Sequence, residues 1–343
     1  MGEQINEQAH ALWYVSPEQV EIRGETLAAK VGPGEVRIEA LYSGISRGTE
    51  RLVFTGRVPV SEYSRMRAPF MAGDFPFPVK YGYATVGRIV AGPGALIGRT
   101  AFALYPHQTL FTLPADRIAL LPADVPTFRG VLAANMETAL NAMWDAAPGP
   151  ADRIAVVGAG VVGSLCAWLA GKLPGAEVTL VDIDKGRAAV AAALGVRFAL
   201  PDTAPGECDL VIHASASQAG LATALQLAGN EATVVELSWY GAGGVAVPLG
   251  GAFHSRRLRL ISSQVGQVAP SHRPRWSHAR RMEAALALLA DPALDAVVTS
   301  AVDFHDLPRQ LPKILTEPGG VLCQLIRYPA DTNILPDTNP SGS

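Results

Sequence analysis

The chain has 343 residues, 49% of them hydrophobic and 17% charged, long enough for two cores and too apolar for a disordered segment to dominate. Its net charge of −3 gives no electrostatic reason to expect nucleic acid or an anionic membrane as a partner. The cysteines, Cys166, Cys208 and Cys323, stand far apart with no CxxC spacing, which excludes a disulfide framework and a cysteine zinc knot and leads us to expect a reducing, cytoplasmic setting.

The first residues, MGEQINEQAHALW, carry acids and no apolar run, so no signal peptide is expected, and no apolar stretch reaches the length of a bilayer span. Residues 11–124 read as short β segments punctuated by Gly and Pro, among them EVRIEALYSGIS and YGYATVGRIVAG, a barrel-like all-β unit. From Thr127 the chain turns Ala-rich and periodic, predicting a helix that stops at Pro148-Gly149-Pro150. Apolar strands then alternate with helical segments through RIAVV, EVTLV, CDLVIHASAS, EATVVELSWYG and RLRLISSQVG, the pattern of a parallel sheet covered on both faces. An Arg-rich stretch, PSHRPRWSHARRM, precedes a helix over MEAALALLADP and a last strand, VLCQLIRY. The expected division is 1–134 for a first catalytic part, 135–270 for dinucleotide binding, 271–330 for a return to the catalytic part, and 331–343 for a mobile tail.

The strongest chemical signal follows the strand Ile154–Val157. Gly158-Ala159-Gly160-Val161-Val162-Gly163 leads straight into a helix. The first glycine permits a tight turn, the second lets backbone approach a pyrophosphate, and the third lets helix pack on strand. The helix N-terminus then offers free N–H groups to phosphate. The second strand ends in Asp182-Ile183, where an acid would take the ribose hydroxyls and repel a 2′-phosphate, so NAD is expected in preference to NADP. Lys185 and Arg187 follow at a helix start, where surface charge is the ordinary explanation. Ser215 and Ser238, at the ends of the third and fourth of these strand segments, are placed on the same cofactor edge.

An all-β N-terminal unit, a central Rossmann segment and a C-terminal return resemble the medium-chain dehydrogenase/reductase family from about Val31 to Tyr328. The resemblance implies an α/β fold in which a doubly wound parallel Rossmann sheet is inserted in a GroES-like, mostly-β catalytic domain. The zinc alcohol dehydrogenases of that family take their metal on a Cys after Gly-Ile, a His in Gly-His-Glu, and a later Cys or acid. Here Ser46 follows Gly44-Ile45, Gly82-Tyr83-Ala84 stands in the second frame, and Ala134 falls at the third. Hydroxyl, phenol and methyl do not make a tight zinc site, and the four-Cys structural loop is missing, so no zinc is expected. The motif SGISRGTE with Gly82-Tyr83 is most similar to the branch holding bacteriochlorophyllide hydroxyethyl dehydrogenase. The resemblance further implies that Arg47 meets the cofactor pyrophosphate, that Thr138 packs beside the nicotinamide, and that a homodimer forms through the strand LRLISSQVG.

Without a metal, a side chain must stabilise or protonate the oxygen that gains charge as hydride arrives. Tyr83 is the first candidate, with Lys80 as a group that would lower its pKa if the turn brought the two together; the alternative is that Tyr83 only fills the vacated metal cavity. Ser46 and Thr49 are further donors in one loop, and His107 is the second acid/base candidate or else a surface histidine in a turn. Glu137, on an apolar helix, either pairs with Arg47 or another cation, or is a tuned acid/base; Asn141 shares its face. Tyr105, Trp239 and Tyr240 are candidate substrate-pocket residues, the Phe70–Phe77 stretch a pocket wall or lid, and the Arg-rich run 272–281 a carboxylate or phosphate reader or a solvated helix start. The expected activity is NAD-dependent interconversion of a secondary alcohol and a carbonyl on a bulky, ring-bearing small molecule. The alternatives are NAD(P)H-dependent reduction of a quinone or enoyl C=C bond, and a dinucleotide sensor without turnover.

Overall fold

The computed structural model describes residues 7–241, 243–317 and 321–329; the tail expected at 331–343 lies outside them. Six parallel strands form one sheet in the spatial order Arg197–Ala199, Glu177–Val181, Arg153–Val157, Cys208–His213, Ala228–Glu236, Arg259–Ser262. Its inner strands are near-continuously apolar because both faces are covered. Residues 154–157 and 178–181 are all buried, and helices Val161–Gly171 and Gln218–Leu227 lie between the strands in sequence. The order runs outward from the Gly-loop strand and then back past it, which opens a crevice at the strands' C-terminal ends.

The rest of the chain builds a GroES-like, mostly-β unit, so the fold class is the one expected. A seven-stranded sheet runs from Val298–Asp303 through Cys323–Arg327, Glu35–Ile45, Thr85–Ala91 and Thr100–Ala103 to Ile118–Leu120, with Leu110–Pro114 paired to the side of Glu35–Ile45. A four-stranded sheet is built on the hairpin Glu7–Ser16 and Gln19–Leu27. Leu12, Ile38, Phe54, Phe111 and Ile326 from both sheets and their connections share one core. The last two strands thus return to the sheet that the first hundred residues began.

Helix Ala133–Ala146 joins the units, entered through a 3₁₀ turn, Thr127–Leu132. Met136, Ala139 and Ala142 pack with Leu165 and Cys166 of the next helix and with Met282 and Ala285 of helix His278–Leu288. This last helix begins four residues before the Met282 start that periodicity suggests, because Ser277 caps it by accepting the Arg280 N–H at 3.1 Å. No helix among the described residues is long and apolar enough to cross a membrane.

Candidate active site

Between the crevice and the β unit lies a cleft of about 1640 Å³. Ser46, Arg47, Thr49, Tyr83, Glu137, Thr138, Gly160, Val161, Val162, Ser215, Trp239 and Tyr240 line it, which gathers expected catalytic, cofactor and substrate residues on one surface. Ser46, Tyr83 and Ala134, the three positions where the family resemblance would put metal ligands, are all on its wall. Their hydroxyl, phenol and methyl groups do not fit zinc. Among the described residues no three of His, Cys, Asp and Glu come together to hold a metal.

The glycine turn has the geometry that its spacing demands. Gly158 takes φ +107°, and a Cβ there would lie 2.6 Å from the Ser215 backbone nitrogen. A Cβ on Gly163 would meet the Gly158 carbonyl oxygen at 1.9 Å, while one on Gly160 would meet open space. The second glycine is therefore the approachable one. Helix Val161–Gly171 has no side-chain cap, so its first-turn N–H groups are available to an anion. Asp182 lies outside the cleft wall and accepts from the Ala159 N–H at 2.7 Å and the Asp184 N–H at 2.9 Å, stapling the glycine turn to the end of the second strand. Each oxygen keeps a lone pair for a further donor. Ile183 beside it is 84% exposed. Arg47 donates to the carbonyls of Glu317 at 2.7 Å and Val321 at 3.1 Å; burial, then Arg187 and Arg51, pull its pKa below the usual value. The Thr138 hydroxyl is spent on its own helix, on the Ala134 carbonyl at 2.9 Å.

Tyr83 donates to the Ser46 hydroxyl at 2.5 Å and lies 3.3 Å from that of Thr49. Burial, and secondarily the charge of Glu50, raise its pKa, while the two hydroxyls pull the other way and do not prevail. The phenol stays protonated, a donor rather than a base. Lys80 does nothing to lower it. Strand alternation turns that ammonium away, onto Glu25 at 2.8 Å and Gln108 at 2.7 Å.

Two expected residues lie elsewhere. His107 is fully buried, not in a surface turn, and off the cleft wall: its Nε2 faces Glu50 at 3.1 Å and its Nδ1 faces the Ser43 hydroxyl at 2.8 Å. Glu50 also accepts from Tyr14 at 2.7 Å and from the Ser46 N–H at 2.7 Å, so this buried network fixes the loop that carries Ser46. Tyr105 is stacked between Phe111 at 3.9 Å and Phe70 at 5.3 Å, inside the β core. From the stretch that follows Phe70 nothing reaches the cleft; Met66, Ala68 and Pro69 just before it do.

Glu137 pairs with Arg281, at 3.0 Å, and not with Arg47. Burial raises the carboxyl despite Arg281. The same guanidinium reaches Asn141 Oδ1 at 2.6 Å and the carbonyl of Val265 at 2.6 Å. That accounts for a basic residue in a helix's first turn: Arg281 is turned inward as a tie, with its charge matched.

Sequence reasoning missed His213 and Glu236. His213 Nε2 faces the Ser215 hydroxyl at 2.7 Å and its Nδ1 faces Glu236 at 2.7 Å. Glu236 also accepts from Tyr240 at 3.0 Å and from the Ser238 N–H at 2.7 Å. Burial raises the Glu236 carboxyl, but His213 and Ser238 outweigh it and hold it below the usual range. The ionised carboxylate orients the imidazole, and the imidazole orients Ser215 on the cleft wall. Both residues end adjacent parallel strands in register, His213 opposite Glu236, a pairing that only the folded sheet reveals.

No protein-family model matches the chain, and no curated protein does. Solved structures do. L-idonate 5-dehydrogenase of Escherichia coli superposes with a TM-score of 0.77 at 13% identity, over 95% of this chain and 100% of its own. A short chain alcohol dehydrogenase of Escherichia coli solved with NADH gives 0.73 at 17%, over 94% and 99%. A Sinorhizobium meliloti protein solved with NADP gives 0.72 at 16%, over 94% and 99%. At these identities the likeness establishes a shared fold.

Proposed function

We propose that this chain is a zinc-independent oxidoreductase of the medium-chain dehydrogenase/reductase type, interconverting a secondary alcohol and a carbonyl on a ring-bearing small molecule with NAD(H). One observation carries the reading: a phenol held protonated by burial, Tyr83, lies on the same cleft wall as the glycine turn and its uncapped helix. A nicotinamide dinucleotide, once bound, supplies or accepts the hydride. The chain's own residues do the rest. Gly160 and the first turn of the helix Val161–Gly171 receive phosphate, Arg47 adds a cation, and Asp182 offers a lone pair to a ribose hydroxyl. Tyr83 gives its proton to the nascent alkoxide in the reducing direction and is reprotonated through the hydroxyls of Ser46 and Thr49. Trp239 and Tyr240 supply an apolar, planar wall for the substrate.

The acid at Asp182 favours NAD over NADP, since a carboxylate there repels a 2′-phosphate. The solved neighbours with NADH and with NADP leave this preference to the chain's own residues. A screen of aryl and alicyclic ketones with NADH, on EDTA-treated protein, should show NADH consumption at 340 nm that added zinc does not increase. Turnover that appears only with zinc would overturn the reading. Asp182→Ala should weaken NADH binding and narrow its margin over NADPH; an unchanged margin would mean that the ribose is read elsewhere.

A further inference from the structure

We infer that the cleft contains an anion subsite, formed by Arg51 and Arg57 opposite Trp239, and that the substrate is a ring-bearing carboxylate or phosphate. This deepens the proposed alcohol–carbonyl reading and rests on it only for the carbonyl framework of the probes below.

The charge around the cleft is one-sided. Eight arginines line it against three carboxylates, in a chain whose net charge is −3. Most of these arginines are accounted for. Arg281 is tied to Glu137, Arg187 lies 3.3 Å from Asp184, and Arg67 lies 2.8 Å from Asp74. Arg65 lies 3.6 Å from Glu62, Arg117 lies 3.9 Å from Asp116, and Arg47 holds backbone carbonyls at the dinucleotide end. Arg51 and Arg57 are the remainder. Among the described residues no carboxylate comes within ion-pair distance of either.

Both arginines are exposed on one short segment of the cleft wall. Helix Arg47–Phe54 ends in a turn closed by the Arg57 N–H on the Leu52 carbonyl at 2.8 Å, with Gly56 at φ +65°, so both guanidiniums hang from one short, ordered segment. That segment meets the aromatic edge of the opposite unit: a Cβ on Gly241 would lie 3.7 Å from Leu52 Cδ2. Trp239, 38% exposed, stands two residues before that glycine. Two unmatched guanidiniums on a cleft wall that also carries an exposed indole offer one ligand both cationic hydrogen-bond donors and a stacking surface. That pairing selects a carboxylate or phosphate on a ring over a neutral ring. A cleft wall with an excess of positive charge also concentrates such anions from solution, an effect that added salt removes.

The Arg-rich run 272–281, the segment that sequence alone offers for this role, is occupied otherwise. Arg281 is inward, and Arg280 lies over the Trp276 ring at 4.1 Å.

The test uses three ketones of similar shape, 4-acetylbenzoate, 4-acetylphenyl phosphate and neutral 4-acetylbenzamide, titrated calorimetrically into NADH-saturated and cofactor-free protein. At least one acid should bind about tenfold or more tightly than the amide, the ratio should fall several-fold between 50 and 500 mM salt, and which acid leads tells carboxylate from phosphate. The ratio should collapse towards one in Arg51→Gln/Arg57→Gln, return in part with Lys at both positions, and stay unchanged in Arg280→Gln. Equal binding of acids and amide, binding of none, or a preference that survives the double glutamine variant would overturn the subsite. Loss of NADH binding in the same protein, with the acid preference intact in its absence, would instead sink the oxidoreductase reading and leave the subsite standing.

Discussion

At the scale of single residues, the account turns on Tyr83. Burial holds its phenol above the ordinary value of 10, so across pH 6–9 it remains a proton donor. Carbonyl reduction should therefore run flat over that interval, where a donor with a lowered pKa would lose rate as it ionised. Tyr83→Phe should cut turnover by about 10²-fold or more with NADH affinity unchanged, measured by steady-state kinetics beside a cofactor titration. Wild-type turnover in that variant would leave Tyr83 as filler of the old metal cavity. The residues that sequence places well are those with local reasons. Gly158, Gly160 and Gly163 act within one turn, and Ser46, Thr49 and Tyr83 converge because short loops on neighbouring strands carry them. The residues it misplaces depend on distant partners. His107 sits in a turn that folds inward onto Glu50 and Ser43, and Tyr105 stacks into the β core between Phe70 and Phe111. Glu137 does meet a cation, as expected, but which one is not legible in sequence because Arg281 stands 144 positions away.

At the scale of elements, periodicity and breakers show the strands and helices, because burial on both faces of the parallel sheet leaves unbroken apolar runs. Less visible is what an element must accommodate. Gly220 lies in the first turn of helix Gln218–Leu227, where alanine would ordinarily stabilise by about 0.5–1 kcal/mol. A Cβ there would stand 2.1 Å from Ser215 Oγ and 2.8 Å from His213 Nε2. Gly220→Ala should instead destabilise by about 1–3 kcal/mol in urea unfolding, since the serine must turn away and leave Nε2 of the buried imidazole unpaired. A gain in stability would mean that the Ser215–His213–Glu236 chain is loose enough to give way. The strand expected across LRLISSQVG shortens to Arg259–Ser262 for a related reason: it is the sheet's edge, with neighbours on one side only.

At the scale of the molecule, the chain leaves the β unit, builds the dinucleotide sheet, and returns with Val298–Asp303 and Cys323–Arg327 to the sheet that it left. Arg281 ties that return at its root. From the helix that leads back, it reaches Glu137 and Asn141 on the joining helix and the Val265 carbonyl beyond the last parallel strand. Removing one partner of such a buried pair should cost about 3–5 kcal/mol. Arg281→Met alone should therefore lower stability by that much in urea, and adding Glu137→Gln should recover a large part, because no charge is then left buried without a partner. Equal losses for the single and double variants would show that the guanidinium matters through the backbone carbonyls it holds. Sequence shows the alternation that separates the two units, but not this tie, since nothing local marks a first-turn arginine as inward-facing.

The most direct measurement is a fluorescence titration of EDTA-dialysed protein with NADH, with NADPH alongside. The account predicts saturable binding of one NADH per chain without added metal, tighter than NADPH. Binding of neither dinucleotide, or binding that requires restored zinc, would contradict it.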